Sequence, residues 1–386
     1  MKNGLATRKL ADACEVFADG DWVESKDQSS EGIRLIQTGN VGGGVFKDRG
    51  EKARYISEAT FKRLRCTEIF EGDCLISRLP DPVGRSCLLP ETGERMITAV
   101  DCTIVRFNPN QLLPEFFNFY SQSDDYLKAV EAETTGTTRK RISRSKLGQV
   151  EIPVPPLPDQ RRIVGILDKV FGFIATAKAN AEKNLQNARA IFESYLQCIF
   201  TKRGAGWVER TVEKLSTNLD SKRVPITKSD RQPGEYPYYG ASGIVDYVLD
   251  YIFEGDTLLV SEDGANLFAR STPIAFSVTG KYWVNNHAHI LKFENMATQR
   301  FVEFYLASIK LDEYITGAAQ PKLNQKALNS IPIPIPKAVE AQAKIVEDIE
   351  SLAAETERLE SLYQRKVASL EALKRSLLNQ AFTGNL

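Results

Sequence analysis

The sequence predicts an α+β protein: two tandem globular domains separated by a pair of long, antiparallel, coiled-coil-like helices, with an internal pseudo-twofold. Two observations predict it. A charged segment over residues 159–201 carries one apolar stripe, Ile163, Leu167, Val170, Ile174, Ala177, Ala181, Leu185, Ala188, Ile191, Tyr195 and Leu196 or Ile199. Its steps of three and four place it on one face of a helix. The stripe returns 182 residues later as Ile345, Ile349, Leu352, Thr356, Leu359, Tyr363, Val367, Leu370, Leu373, Leu377 and Ala381, where only Thr356 is neither apolar nor aromatic. A long helix written twice, each copy behind a β-rich segment, marks a tandem duplication.

In chain order, the first domain covers residues 1–157. Short β-rich runs separated by turn residues fill it: residues 32–41 running into a Gly-rich turn at Gly42 to Gly44, a short strand at Val45-Phe46, a turn and strand over 69–77, and at least one more strand between Met96 and Phe107. Pro114 opens a helix at its first turn. The domain closes on residues 150–158, where alternate prolines make an edge strand or a polyproline II run. Asp159 stands at the N-cap position of the central helix, residues 158–203.

The second domain, residues 204–337, starts within the linker Lys202-Arg203-Gly204-Ala205-Gly206, its globular part opening at Trp207, and repeats the order of the first. Residues 252–256 match 69–73, Thr316-Gly317 matches Thr135-Gly136, and the alternate prolines return at Pro332, Pro334 and Pro336 before the C-terminal helix, residues 338–386. Both stripes need burial, and each is the matching surface for the other. Ile163, Leu167, Val170, Ile174 and Leu185 are therefore expected to face Ile345, Ile349, Leu352, Leu359, Val367 and Leu370. The second domain joins the end of one helix to the start of the next, so the pair should run antiparallel. A mean step near 3.6 implies slight supercoiling.

Composition narrows the function. At 386 residues there is room for two domains, and 50 basic against 50 acidic residues leave no net charge to attract a polyanion. Binding to nucleic acid would have to come from local clusters or a partner. Neither an N-terminal signal run nor about 20 consecutive apolar residues for a membrane span occurs, so a cytoplasmic location is expected. The six cysteines show no CxxC pairing and read as free thiols. There is no phosphate-binding loop, Gly42-Gly43-Gly44 lacks the setting of a dinucleotide fingerprint, and no Asn-Pro-Pro-aromatic motif of amino-methyltransferases appears. No catalytic residue is assigned. His287 and His289, two apart on an expected strand, could share a metal with Asp256 and Glu262, which is the metal-dependent nuclease alternative. The plainer reading makes them polar residues of a binding or packing surface. A coiled-coil scaffold that touches no nucleic acid is the other alternative.

The clearest nucleic-acid signal is the stretch 134–146, with Thr137, Thr138, Arg139, Lys140, Arg141, Arg144 and Lys146 and no acid. Hydroxyls and cations suit phosphates, and arginine suits a guanine edge. The counterpart at 316–326 offers Gln320, Lys322 and Asn324, amides that pair with adenine. A short basic run is commonly a solvated face, but its recurrence at the same place in two copies favours binding. Lys222, Arg223 and Lys228 are further candidates for backbone contacts. At about 1.5 Å per residue the central helix reaches roughly 65 Å, one to nearly two turns of duplex DNA at about 34–36 Å each.

These pieces resemble the specificity subunits of type I restriction–modification systems. The resemblance rests on Thr38-Gly39-Asn40 after the strand from Ile33, on residues 236–243, on Glu262-Asp263-Gly264, on residues 284–289, on both Thr-Gly loops and proline strands, and on the closing residues 377–384. It implies two target-recognition domains, each reading half of a bipartite double-stranded DNA target, and two helices that act as spacer and dock. It adds Asn40, Ser242, Asn285 and Asn286 to the DNA-contact candidates. The implied partners are two modification subunits, which bind S-adenosylmethionine and methylate adenine, and restriction subunits that hydrolyse ATP and cut. S-adenosylmethionine, ATP and Mg2+ would then belong to the partners, with no cofactor and no metal in this noncatalytic chain. Because the Thr-Gly loops differ, the target should be asymmetric.

Overall fold

Alternate prolines set the frame of each domain. In a strand, successive backbone N–H groups point to opposite edges, so Pro332, Pro334 and Pro336 all turn their missing donors outward while Ile333 and Ile335 carry the ladder. The computed structural model describes residues 6–136, 139–317 and 319–383, and it divides into two units, residues 1–181 with 365–386 and residues 182–364. Thr137, Thr138, Ala318 and Gly384 lie outside the described residues.

Among the described residues the first unit has ten strands: β1 (Thr7–Lys9), β2 (Cys14–Asp19), β3 (Ile33–Ile36), β4 (Tyr55–Ile56), β5 (Glu68–Ile69), β6 (Cys74–Ser77), β7 (Ser86–Leu88), β8 (Met96–Thr98), β9 (Cys102–Phe107) and β10 (Glu151–Pro153). They form a β1-β10 pair and two four-stranded sheets, β2-β9-β6-β7 and β4-β3-β8-β5. The second unit has β11 (Trp207–Thr211), β12 (Ser216–Asn218), β13 (Pro233–Gly240), β14 (Gly243–Val248), β15 (Phe253–Glu254), β16 (Thr257–Ser261), β17 (Ala275–Val278), β18 (Lys281–Val284), β19 (Ala288–Phe293) and β20 (Pro332–Pro336). Its orders are β11-β20, β12-β19-β16-β17 and β14-β13-β18-β15, the same topology strand for strand. The parallel strand pairing repeats too, β3 with β8 and β13 with β18. The expected strand at Val45-Phe46 is absent: Val45 is exposed and Phe46 makes only an isolated bridge to Val41.

The central helix spans Leu157–Thr201 and the C-terminal helix Val339–Phe382. The central one begins before the expected cap. The Pro156 carbonyl accepts from Asp159 and Gln160 N–H, which puts Asp159 in the first turn, and Pro158 is tolerated there because first-turn donors have no helical partner. In the first unit Ile163, Leu167, Leu378 and Ala381 join the core of Phe107, Phe116, Phe117 and Tyr126, with the Phe382 ring edge-on to Phe116 and Tyr120. Lys178 Nζ meets Glu371 Oε1 at 2.6 Å, and Lys374 lies over the Phe171 ring. In the second unit Leu196 and Phe200 share a core with Val346, Ile349, Phe301, Ile333 and Ile335, and Arg189 holds Glu360 through two nitrogens at 2.9 and 3.0 Å. Within each unit, residue numbers rise along one helix as they fall along the other, so the pairing is antiparallel.

The stripes differ from expectation at two places. Ile191 is 60% exposed and Leu373 46%, while Phe200, Val346 and Leu378 are buried in their stead. The reason is that each helix end packs on the globular part of its unit as well as on the other helix, which rotates the buried face. Val170, Leu185, Ile345, Leu352, Leu359, Val367 and Leu370 are half-buried.

Each long helix is latched to its domain by a buried glutamine. Gln160 Nε2 donates to the Gln111 and Pro155 carbonyls at 2.8 and 2.7 Å, and its Oε1 accepts the Leu113 N–H at 2.8 Å. Gln342, 182 residues on, donates to the Pro336 carbonyl at 2.7 Å and accepts the Thr298 hydroxyl at 2.6 Å. Replacing Gln160 with Leu strands three backbone groups without a buried partner, and a loss of about 3 kcal/mol is expected in chemical denaturation. A control at the exposed Gln186, Gln186→Leu, should change stability by less than about 0.5 kcal/mol.

Candidate nucleic-acid interface

Four loops meet in each unit. In the second, the Ser261 hydroxyl bonds the Ala241 carbonyl in the β13–β14 turn, Glu262 N–H bonds the His287 carbonyl at 2.9 Å, and Gly264 N–H bonds the Pro321 carbonyl at 3.0 Å. The 241–242 turn, the 262–264 turn, the 285–287 turn and the Thr-Gly loop 316–322 thereby share one surface. In the first unit the buried Arg85 draws together the carbonyls of Thr38, Val41, Leu79 and Pro82 at 2.6–3.0 Å. The equally buried Arg78 reaches the Val100 carbonyl and Asp19, and its own carbonyl accepts Ile142 N–H at 3.3 Å. Burial lowers the pKa of both guanidinium groups, and around Arg85 the four carbonyls replace water. Neither arginine was singled out from sequence, although a cation at the end of the apolar run Cys-Leu-Ile-Ser was a readable signal.

The repeated Thr-Gly has a backbone cause. Gly136 and Gly317 adopt φ of +94° and +84°, and a Cβ on either would sit 2.5 Å from the carbonyl oxygen of Arg139 or Gln320. Thr135 bridges Arg141 and Thr316 bridges Lys322, closing two loops of the same form.

Inside that common frame the charges differ. Arg78 follows β6 where Glu262 follows β16, and the Ile142 and Leu323 amides anchor to their respective carbonyls. In the second unit His289 is buried between Asp220, with Nδ1 at 2.5 Å, and the Leu323 carbonyl, with Nε2 at 2.7 Å. Each ring nitrogen thus faces an oxygen. Burial works against the Asp220 carboxylate, but the His289 hydrogen bond and charge, the Ile290 N–H and Arg223 outweigh it and hold its pKa below the usual value. Glu262 is lowered likewise, burial opposing and Arg223, His289 and Lys322 prevailing.

The predicted residues divide into exposed and spent groups. In the loop 135–146, Lys140 pairs with Glu131, Arg141 with Asp101, Arg144 with Asp19 and Lys146 with Glu133, at 2.5, 2.6, 3.7 and 3.3 Å. Only Arg139 of its described cations has no acid, so the basic run is largely neutralised within the fold. Ser242, Asn286 and Gln320 are exposed on the second surface, with Lys322 beside them on Glu262 at 3.2 Å. Asn40 is buried and spends its amide on Gln37 N–H and the Lys47 carbonyl, Asn285 accepts His287 N–H, and Asn324 caps the helix Gln325–Ser330. These three build the loops. Arg223 is also spent, on Glu262 and the Ala288 carbonyl, whereas Lys222 and Lys228 are exposed.

The expected metal set is not assembled. Asp256 and Glu262 flank β16 at its opposite ends, roughly 20 Å of strand apart, and His287 sits in a turn facing Asp263 at 2.8 Å. Among the described residues Asp220, Glu262 and His289 come within ligand distance of one another. Arg223 and Lys322 already balance Glu262 there, so the cluster fits an ion-pair network better than a cation.

A family model, type I restriction modification DNA specificity domain, matches residues 3–186 and again 205–366. The chain belongs to this family. A type I specificity relative, a putative subunit from Haemophilus influenzae, is 32% identical over 172 residues, 45% of this chain and 42% of the relative. The EcoBI specificity subunit of Escherichia coli is 24% identical over 312 residues, 69% and 65% of the two chains. Both matches thus span less than two thirds of those relatives. A putative specificity subunit from Methanocaldococcus jannaschii aligns over 98% of this chain and 93% of its own at 21% identity. In fold, the chain is similar to one from a study of complex assembly in a type I R-M system, with a TM-score of 0.79 at 16% identity, covering 100% and 99% of the two chains. It is also similar to the HsdS subunit of Thermoanaerobacter tengcongensis, with a TM-score of 0.60 at 16% identity and coverage of 100% and 98%. Among the described residues no helix is long and apolar enough to cross a membrane.

His289→Ala tests the second surface. At neutral pH it should cost about 3 kcal/mol by removing one buried partner of Asp220 and the side-chain donor to the Leu323 carbonyl, and speed amide exchange over 319–323. Because the folded pKa of Asp220 is lowered, its contribution is full above the unfolded value near 4 and disappears as pH falls through the folded value. The gap between variant and wild type should therefore narrow in acid; a constant gap down to about pH 2 would contradict the assignment.

Proposed function

We propose that this chain is the noncatalytic subunit that selects the DNA sequence in a type I restriction–modification complex, each domain reading one half of a bipartite, asymmetric target. One observation carries the proposal: the same four-loop surface is built twice on one topology, with unlike side chains at matching positions. Matching frames suit the same ligand class, and unlike side chains suit different half-sites. Arg139 with the exchangeable Lys140, Arg141, Arg144 and Lys146 would serve the first half-site. Ser242, Asn286, Gln320 and Lys322 would serve the second. Surface ion pairs are worth about 0–1 kcal/mol, so a phosphate can take over those cations at low cost.

On this reading the paired helices set the unread spacer, and their outer faces, with exposed Phe173, Ile191 and Leu362, receive two modification subunits. Restriction subunits complete the complex, in the cytoplasm. S-adenosylmethionine, ATP and Mg2+ act in those partners. The nuclease alternative loses its metal set in this geometry, and the scaffold alternative leaves the duplicated loop surface without a use.

Footprinting with the modification partner checks the proposal. Two short protected blocks separated by an unprotected spacer are expected, and insertion of matched helical turns into both long helices should lengthen the spacer and leave the blocks unchanged. A single continuous block would contradict it.

A further inference from the structure

The connection from β3 to β4, residues 37–54, is far longer than its counterpart in the second unit, where β13 turns into β14 through Ala241 and Ser242 alone. It is firmly laced. The Asn40 amide donates to the Lys47 carbonyl at 2.9 Å, Lys47 N–H to the Asn40 carbonyl at 2.8 Å, and Leu35 N–H to the Arg54 carbonyl at 2.8 Å. The lacing opens a cleft of about 410 Å³ lined by Gln37, Asn40, Arg49, Lys52, Ala53 and Arg54. Gly39 forms the adjoining wall, and its missing side chain makes room for Arg49: a Cβ there would stand 2.1 Å from the guanidinium.

The three cations of this cleft are exposed and pair with no acid among the described residues, unlike those of the loop 140–146. The nearest acid in sequence, Asp48, is held by the buried Arg34, and Glu51 does not line the cleft. The polar floor is already used. Asn40 is spent at both ends, and its N–H goes to the Gln37 main-chain carbonyl at 2.8 Å. The cleft therefore offers three cationic donors and almost no acceptor. A base edge displays acceptors and donors together, whereas a phosphate displays acceptors alone. We propose that the cleft formed by Arg49, Lys52 and Arg54 seats a phosphate of the DNA backbone and fixes the register of the first domain on its half-site. The proposal rests on the DNA-reading function above and assigns positioning, not sequence choice, to these residues.

The test uses the chain assembled with its modification partner, a duplex carrying the sequence that complex methylates, and a scrambled duplex. The combined variant Arg49→Ala, Lys52→Ala, Arg54→Ala should bind both duplexes about tenfold more weakly, keep the ratio between them, and lower the slope of log affinity against log salt by about 1. Neutral methylphosphonates, placed one at a time, should reveal a phosphate whose neutralisation weakens the wild type and leaves the variant unaffected. Arg49→Gln with Lys52→Gln retains the aliphatic stems and carries the test if the alanine variant melts early. Unchanged affinity and slope, or equal methylphosphonate sensitivity at every position in both proteins, would overturn the cleft assignment while wild-type preference for the target upholds the DNA-reading function. A wild-type complex with no such preference would overturn that function itself. A fall in the ratio with an unchanged salt slope would make the cleft a base-reading site and overturn its assignment to phosphate.

Discussion

Burial of two long apolar stripes is the constraint on which the rest of the molecule depends. Neither stripe can be left in water: each buried leucine or isoleucine is worth about 1.5–3 kcal/mol, and several recur along every helix. The chain satisfies both by running the helices antiparallel. As a consequence, the end of the C-terminal helix completes the core of the first unit, with Leu378, Ala381 and Phe382 packed among Phe116, Tyr120 and Ile163. The second unit is closed in the same way by Leu196 and Phe200 against Val346 and Ile349. Residues hundreds of positions apart thus share one core, and the glutamines at 160 and 342 fix where each helix leaves its domain.

Duplication followed by divergence explains why the two surfaces look alike in backbone and unlike in chemistry. Positions that shape the loops are kept by backbone geometry: Gly136 and Gly317 need positive φ, and Pro153, Pro332, Pro334 and Pro336 can stand only on an outward edge. Positions that face outward or balance charge are free to change. Arg78 in one copy and Glu262 in the other hold the same loop from the same strand end, each with its own counterions. A frame that tolerates such an exchange can acquire a new recognition surface without refolding, which is what a sequence-selecting subunit requires.

Much of this architecture was legible in the sequence because it follows from periodicity and repetition. The two helices, the edge strands and the order of both domains came from the apolar steps, the alternate prolines and the 182-residue offset. The reading was weaker where tertiary contacts decide. Ile191 and Leu373 obeyed the spacing yet lie exposed, since the stripe turns toward the domains near the helix ends. The basic loop looked like free charge, but its acids, Asp19, Asp101, Glu131 and Glu133, approach it only in the fold. Asn40, Asn285 and Asn324 are of base-pairing type, and their amides are consumed in building turns and a cap. His287 and His289 stand two apart in sequence, but the strand begins between them and sends one outward and one into the core.

The central claim is that two dissimilar surfaces, carried by one chain, choose two separate parts of one DNA target. The most direct measurement is the base-resolution methylation pattern of a cell expressing this chain with its modification partner, compared with one in which residues 204–337 are replaced by a second copy of the first domain. The account predicts a split, asymmetric methylated sequence for the natural chain and a split sequence of two identical, inverted halves for the replacement. An undivided methylated sequence, or one that does not change when the second domain is replaced, would contradict it.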